Sequence, residues 1–337
     1  MIVSGWAVLV MVLSYCIARW VRFNASVLKL VDIPNNRSSH ALPTPRGGGI
    51  SFFLIFLLLV PVCCLHGLLT LDQAIGYLGA GGLAGVVGFA DDRGHVPAKW
   101  RMLSHLVAAG WAVYWGFHIP VVDILGLTVE ATWLAGIVTT LYLAWMLNLY
   151  NFMDGIDGLA SAEAICICLG AAAIYMGSGH PELAVMPVML TAAVMGFAVL
   201  NFPPAKIFMG DVGSGFLGLV IGLFSLQAAA VNTLYFFCWL ILAGVFIVDS
   251  GWTLVARVLR GKRVYEAHRS HCYQIASRQF RSHKVVTVAY AGITIFWLFP
   301  LALWVGVGGA NGAAVLALAY TPLFVGAYWF GAGDETK

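Results

Sequence analysis

The fold is decided by residues 132–178, TWLAGIVTTLYLAWMLNLYNFMDGIDGLASAEAICICLGAAAIYMGS, where two apolar runs enclose a short polar string. The runs cover 132–150 and 160–178, and each is close to the ~20 residues that a helix needs to cross a hydrocarbon core. The string between them is too short to form a domain of its own. This stretch therefore predicts two membrane-spanning helices joined at one face of the membrane.

The same pattern occupies the rest of the chain. Hydrophobic residues make up 61% of the sequence and charged residues 10%, far from the composition of a soluble globular protein. We predict an all-α, polytopic integral membrane helix bundle in a single domain, 1–337, with about eleven transmembrane helices. The predicted spans are 3–24, 48–68, 72–90, 102–118, 132–150, 160–178, 183–201, 213–231, 233–256, 285–306 and 308–330.

Positive charge is one-sided. All 18 Lys and Arg residues lie at or beyond the ends of odd-numbered spans, and the links after even-numbered spans contain none. The positive-inside rule then places the N-terminus outside and the C-terminus in the cytoplasm. The net charge of +3 is too small to indicate a nucleic acid as partner, whereas membrane lipids explain the basic links. The predicted cytoplasmic links are 25–47, 91–101, 151–160, 202–213 and 257–284.

The first cytoplasmic link ends in three glycines, 47–49, at the start of a predicted span. Backbone N–H groups at such a helix start favour an anion. A plain Pro/Gly turn explains the glycines as well, and both interpretations stay open. Four nearby donors suit a diphosphate and favour the anion slightly, namely Arg37, His40, Thr44 and Arg46.

The second link begins with adjacent carboxylates, Asp91 and Asp92, and continues through the basic Lys99. Two carboxylates at the end of an apolar helix are costly unless they are solvated, paired or bound to a cation. Oxygen ligands of this kind suit Mg²⁺, which usually takes one or two carboxylates together with substrate phosphates. A solvated helix cap explains the pair equally well.

The third link carries Asn148, Asn151, Asp154 and Asp157 at three-residue spacing. On a helix end these side chains lie within about a turn and a half of one another. Amides placed deep in a span need partners, and a turn does not explain the repeated Asn and Asp. We therefore expect this string to bind a ligand.

The fourth link places Asp211 between glycines at the start of a span, where its carboxylate can approach a metal and the following N–H groups face phosphate. A simple capping role for Asp211 is the alternative, although it leaves the glycines unexplained. Phe208 offers a ring for stacking a base, or else it is an interfacial aromatic.

The fifth link contains His268, Arg269 and His271, whose spacing suits a phosphate clamp or a proton-transfer group. Positive-inside topology explains the basic character of this link in general. It does not call for two histidines.

Four strings occur in order between Asp32 and Gln274: P-T-P-R-G-G-G, D-D, N-x-x-N-x-x-D-G-x-D-G and F-M-G-D-x-G-S-G. Together they resemble the polyprenyl-phosphate N-acetylhexosamine-1-phosphate transferases, glycosyltransferase family 4. The resemblance implies Mg²⁺, with Mn²⁺ as an alternative, ten or eleven spans, and a site in the bacterial inner membrane facing the cytoplasm. It also implies transfer of a sugar-1-phosphate from a UDP-N-acetylhexosamine to undecaprenyl phosphate, with release of UMP.

The resemblance also implies roles for individual residues. Asp211 and Asn151 match positions that hold the metal, and Phe208 matches an aromatic on which uracil stacks. Asp91, Asp92, His268 and His271 are the predicted catalytic residues. The predicted substrate-binding residues are Arg37, His40, Thr44, Arg46, Lys99, Asn148, Asp154, Asp157, Asn201, Phe208 and Arg269.

The string His268-Arg269-Ser270-His271 stands where the peptidoglycan enzymes have three consecutive histidines. This departure argues against a MurNAc-pentapeptide donor and is more similar to O-antigen-initiating members. The sugar stays open between N-acetylglucosamine and a 6-deoxy relative such as N-acetylfucosamine. A direct in-line displacement is the expected mechanism, with a covalent aspartyl-phosphate as the alternative. A homodimer and a transporter function also stay open.

Overall fold

The computed structural model describes residues 2–34, 42–120, 132–262 and 268–334. Within these residues the chain is almost entirely helical, with one pair of two-residue strands, β1 (Val31–Asp32) and β2 (Thr44–Pro45). The helices are α1 (Ile2–Phe23), α2 (Ile50–Leu65), α3 (Leu71–Arg93), α4 (Ala98–Tyr114), α5 (Thr132–Met153), α6 (Leu159–Gly177), α7 (Pro181–Asn201), α8 (Asp211–Ala229), α9 (Thr233–Leu242), α10 (Gly244–Leu259), α11 (Cys272–Phe280), α12 (His283–Ile293), α13 (Phe299–Gly306) and α14 (Gly312–Phe330).

Eight stretches of the described chain form helices long and apolar enough to cross a membrane, and a bent pair would make nine. The all-α, polytopic architecture predicted from the sequence is therefore confirmed. Each of the eleven predicted spans contains helix, but α2 and α4 have only 16 and 17 residues. The count of eleven and the orientation of the termini remain predictions.

Helix α8 lies at the centre of the bundle. In its most apolar 18-residue stretch, 94% of the residues are buried inside the protein. It packs most extensively against α3 and α5. Small residues allow these backbones to approach closely. A Cβ added at Gly88 of α3 would lie 2.4 Å from the carbonyl oxygen of Asp211, and one at Gly218 would lie 2.2 Å from that of Met146.

Two predicted spans differ from straight helices. The run 233–256 is broken at Ala243, where α9 and α10 meet at 70°. The run 285–306 contains a π-helical turn, Thr294–Leu298, directly before Pro300. Proline lacks an N–H group and its ring displaces a preceding carbonyl, which accounts for the irregular turn at this point. Hydropathy averages over a window and does not detect either break.

The first and fourth predicted cytoplasmic links are joined by backbone hydrogen bonds. Phe208 N–H donates to the Pro45 carbonyl at 2.8 Å, and the N–H groups of Gly48 and Gly49 donate to the Phe208 and Met209 carbonyls at 2.9 Å. The short β1–β2 pair directs the chain toward this contact. As a result, residue 46 is held beside the start of α8.

Candidate active site

Three predicted stretches meet at one end of the bundle, which we call the polar end: the C-terminal ends of α3 and α5 and the start of α8. Asn151, in the last turn of α5, donates from Nδ2 to Asp211 Oδ1 at 2.9 Å and lies 3.1 Å from Ser214 Oγ. Asp211 is the first residue of α8. The two residues predicted as metal ligands therefore lie side by side.

Arg101 of α4 links the carboxylates of two helices. Its Nη1 lies 2.6 Å from Asp91 Oδ2 and 3.2 Å from Asp211 Oδ2. Asp91 Oδ1 accepts a further hydrogen bond from Val96 N–H at 2.7 Å. The sequence analysis did not select Arg101 as a site residue, although a basic side chain ten positions after a paired aspartate was a usable signal.

Asp92 is buried, with 2% of its surface exposed, and its carboxylate caps the start of α8 from another helix. Oδ1 accepts from Asp211 N–H at 3.0 Å and Oδ2 from Val212 N–H at 3.1 Å. Negative charge at a helix N-terminus is favourable. Gly210 makes the approach feasible, because a Cβ there would lie 2.5 Å from Asp92 Oδ2. We call this arrangement, a carboxylate capping a helix to which it does not belong, a remote cap.

Arg46 brings a second guanidinium to this place. It donates from Nη2 to the Asp92 carbonyl oxygen, and its Nε lies 3.9 Å from Asp92 Oδ1. A buried carboxylate needs a partner charge or hydrogen bonds, and Asp92 has both. Arg46 is about one-third exposed and therefore also accessible to a ligand.

The donor set can be compared with what Mg²⁺ requires. Among the described residues, no three His, Cys, Asp or Glu side chains form a group that could hold a metal by themselves. Asp91 and Asp211 nevertheless face the same nitrogen, Nη1 of Arg101, at 2.6 and 3.2 Å, so two carboxylates lie close together at this point. Because Mg²⁺ usually takes one or two carboxylates plus waters and phosphates, these residues fit an ion that substrate would complete.

Asp154 follows directly after α5 and is partly exposed. Desolvation raises the pKa of its carboxyl group well above the usual range, and the negative charges of Asp211, Asp92 and Asp157 raise it further. Four carboxylates therefore share one electrostatic environment at the polar end. A divalent cation bound there would favour the ionised form of Asp154.

Asp157 and Asn201 stabilise the links around this cluster. Asp157 Oδ2 accepts from Ala205 N–H at 3.0 Å, and its Oδ1 lies 3.3 Å from His283 Nδ1. The buried Asn201 accepts from Ser161 Oγ at 2.9 Å and donates to the Ile207 carbonyl at 3.1 Å. Both residues fix the loop before α8, and Asp157 also faces a cavity.

That cavity, about 700 Å³ in volume, opens beside Asp157 and the link before α8. Its charged lining comes mainly from the last predicted cytoplasmic link, 257–284, and its size is typical of small-molecule sites. Asp157 and Arg269, both predicted to bind substrate, share it. The remaining cationic residues around it are Arg278, Arg281 and Lys284, with His283 beside them.

The other predicted site residues within the described part of the chain differ in their contacts and exposure. Thr44 donates to the Leu42 carbonyl at 3.0 Å, Phe208 is partly exposed, and Lys99 is exposed with its Nζ 5.6 Å from the Trp100 ring centre. Asn148 donates to the Ala144 carbonyl at 2.7 Å and also contacts His105, which sequence reasoning missed. Arg37 and His40 lie outside the described residues.

His271 is buried, and its ring faces a carboxylate that sequence reasoning also missed. Nδ1 lies 3.4 Å from Oδ1 of Asp249, in α10, and the ring centres of His268 and His271 are 4.9 Å apart. Asp249 lies inside the predicted span 233–256, where it is the only charged residue. A single carboxylate in an apolar run was the available signal.

The geometry can be compared with known proteins. The family model for glycosyl transferase family 4 matches residues 74–229. A Bacillus subtilis protein named a probable undecaprenyl-phosphate N-acetylglucosaminyl 1-phosphate transferase is 30% identical over 278 residues, 81% of this chain and 77% of that relative. A Mycobacterium tuberculosis decaprenyl-phosphate N-acetylglucosaminephosphotransferase is 28% identical over 354 residues, 95% and 84% of the two chains.

A third relative, a phospho-N-acetylmuramoyl-pentapeptide-transferase of Chlamydia trachomatis, is 30% identical over 252 residues, 66% of this chain and 71% of its own. The matched family region begins in α3 and ends with α8, so it contains the helices that supply Asp91, Asn151 and Asp211. On the strength of the family model and of a relative that matches over most of both chains, this chain belongs to glycosyl transferase family 4, the polyprenyl-phosphate N-acetylhexosamine-1-phosphate transferases.

Proposed function

We propose that this protein transfers an N-acetylhexosamine-1-phosphate from a UDP-sugar to undecaprenyl phosphate. The products are undecaprenyl-diphosphate-sugar and UMP. The reaction takes place at the cytoplasmic face of the bacterial inner membrane and starts the synthesis of O-antigen or another envelope polysaccharide. Relatives named as polyprenyl-phosphate sugar-phosphate transferases support the reaction class.

The observation that carries the proposal is the polar end itself. Carboxylates from α3 and α8 face each other there, with Asn151 of α5 and the guanidinium of Arg101 beside them. A diphosphate donor and a phosphate acceptor repel each other, so their approach needs cationic groups and a metal. Mg²⁺, or Mn²⁺ in its place, would be held by Asp211 and Asn151 and would supply charge neutralisation.

In this mechanism an oxygen of the lipid phosphate attacks the phosphorus that bears the sugar. The bond between that phosphorus and the UMP oxygen breaks, and UMP departs with the negative charge. A phosphate monoester with a second pKa near ~6 is already largely dianionic at pH 7, so a strong general base is not required. Asp91 is tied to Val96 N–H and Arg101, an arrangement that favours orienting a nucleophile over a covalent aspartyl-phosphate.

The cavity beside Asp157 is our proposed site for the donor. Its guanidinium groups suit a diphosphate, because each can bind two phosphate oxygens in a plane. The names of the relatives make UDP-N-acetylglucosamine the first donor to test. The His-Arg-Ser-His string keeps 6-deoxy donors such as UDP-N-acetylfucosamine in the panel.

The test is an assay of purified protein in detergent with undecaprenyl phosphate and a panel of UDP-sugars. We expect UMP release with one UDP-N-acetylhexosamine, dependent on the lipid and abolished by chelating divalent cations. A transporter, the alternative function, would instead move substrate into proteoliposomes without UMP release. Uptake without UMP release from any donor would overturn the proposal.

A further inference from the structure

We propose that Asp249 is a positioning residue that orients His271 and the start of α11 toward the donor phosphates. The inference rests on the proposed function and adds to it a residue from a helix that the sequence motifs do not include. Asp249 belongs to α10, the second half of the bent pair, and 3% of its surface is exposed.

One carboxylate collects four contacts from outside its own helix, besides the Thr253 hydroxyl of α10, which donates to Oδ1 at 3.3 Å. Asp249 Oδ1 accepts from Cys272 N–H at 2.8 Å, and Oδ2 accepts from Tyr273 N–H at 3.0 Å and from the Tyr290 hydroxyl at 2.7 Å. The fourth contact is the His271 ring, with Nδ1 3.4 Å from Oδ1. Asp249 is therefore a second remote cap, holding the start of α11 as Asp92 holds the start of α8.

This geometry determines which nitrogen of His271 is available. Because Nδ1 faces Asp249, Nε2 is the ring nitrogen left for a substrate oxygen. A carboxylate 3.4 Å from one nitrogen restrains the orientation of the ring by electrostatic attraction. The neighbouring rings of His268 and Tyr273, 4.9 Å and 5.7 Å away, limit rotation further.

The start of α11 is also tied to the metal-binding end of α5. The Tyr273 hydroxyl donates to the Phe152 carbonyl at 2.9 Å, and residue 152 directly follows the predicted metal ligand Asn151. Asp249 and Phe152 thus fix the two sides of the turn that carries His271. A displacement of about 1 Å in such a group can cost a reaction about 10²-fold.

The experiment is a double-mutant cycle of Asp249→Asn and His271→Ala, measured as UMP release with donor and acceptor varied in turn. Asp249→Asn keeps the volume but removes the charge and one acceptor. We expect kcat to fall about 10²-fold with the donor KM changed much less, and the double variant to be no slower than His271→Ala alone. If the activity losses of the two single variants multiply in the double variant, the proposal is wrong.

Two further variants separate orientation from mere packing. Tyr290→Phe removes one donor from the same carboxylate without touching His271, and we expect activity within about threefold of the original. Asp249→Glu restores the charge and both acceptors, so we expect it to recover at least tenfold over Asp249→Asn. If Tyr290→Phe is as slow as Asp249→Asn, or Asp249→Glu recovers nothing, the network is structural and the proposal fails.

The outcome for the proposed function is read separately, from UMP release by the unaltered protein. The same four proteins of the cycle are also compared by their unfolding temperatures in detergent. If the changes in unfolding temperature caused by the two substitutions are not additive, the contact between residues 249 and 271 is supported, whatever reaction the protein performs. Independent effects on both unfolding and turnover would reject the inference even if the unaltered protein is fully active.

Discussion

At the scale of single residues, the site is built from charges that neutralise each other before any substrate arrives. Arg101 lies between Asp91 and Asp211, and Arg46 lies against Asp92. Each guanidinium is about one-third exposed, so solvent screens these pairs and their contribution to stability is modest. These ion pairs matter mainly for position, because they hold the guanidinium groups where phosphate oxygens are proposed to bind.

We predict that Asp211→Asn reduces turnover by about 10²- to 10³-fold, because it removes the carboxylate proposed to hold the metal that stabilises charge on the transferring phosphoryl group. The fold should persist, since the backbone N–H of residue 211 still donates to Asp92. UMP release and size-exclusion elution are the measurements. The matched control is Asp72→Asn, an exposed residue at the opposite end of α3. Near-normal activity of Asp211→Asn would contradict the assignment.

Asp92 and Asp91 should differ in their effect on stability. Asp92→Asn places an amide NH₂ against a backbone N–H group at the start of α8, and we expect a loss of about 1–3 kcal/mol in the free energy of unfolding. Asp91→Asn should cost less, because its ion-pair partner Arg101 is about one-third exposed and solvent screens that pair. Unfolding in detergent measures both variants. A larger loss for Asp91→Asn would argue against the capping role of Asp92.

Sequence reasoning at this scale selected the residues that stand in polar strings and missed those that do not. Asp91, Asn151 and Asp211 were found because each follows or precedes an apolar run within a recognisable motif. Asp249 was missed because its partners outside α10 are 22 to 41 residues away and hydropathy averages one carboxylate into its span. The catalytic and substrate-binding roles predicted from the resemblance remain predictions.

At the scale of helices, contact between α3 and α8 determines whether the carboxylates can meet. Gly88 allows the α3 backbone to lie against the first turn of α8, directly behind Asp211. Helix periodicity and span length follow from the sequence alone. The 70° bend after α9 and the central position of α8 depend on packing between distant helices, which no local pattern encodes.

We predict that Gly88→Ala reduces activity at least tenfold, because the added Cβ would lie 2.4 Å from a backbone oxygen and must push α3 away from α8. Gly82→Ala is the control on the same helix, since a Cβ there meets nothing within 4 Å. It should be neutral or slightly stabilising. Turnover and unfolding temperature are measured for both variants. Equal activities would show that the α3–α8 contact tolerates displacement.

At the scale of the whole molecule, the sites assembled from the predicted cytoplasmic links all lie at the polar end, although they come from α3, α4, α5, α8 and the start of α11. The all-α class could be predicted because composition and span length suffice for it. Sidedness is predicted from the distribution of Lys and Arg.

We predict that a cysteine at position 262 is labelled only after the cell membrane is permeabilised, and one at position 182 in intact cells. Lys262 follows α10, Glu182 lies in the first turn of α7 beside the link that precedes this helix, and both are exposed. Their links fall on opposite faces under the positive-inside rule. The seven native cysteines are replaced first. The reverse labelling pattern would overturn the cytoplasmic placement of the site.

The remote cap at the start of α8 has a consequence for biosynthesis. Asp92 and its partner amides are separated by 119 and 120 positions, and translation adds roughly 5–20 residues per second. Synthesis of residue 92 therefore precedes synthesis of the start of α8 by roughly 6–24 s. During that interval the nascent protein cannot assemble the polar end. Chains arrested before residue 211 should accordingly be degraded faster in cells than chains arrested after residue 230.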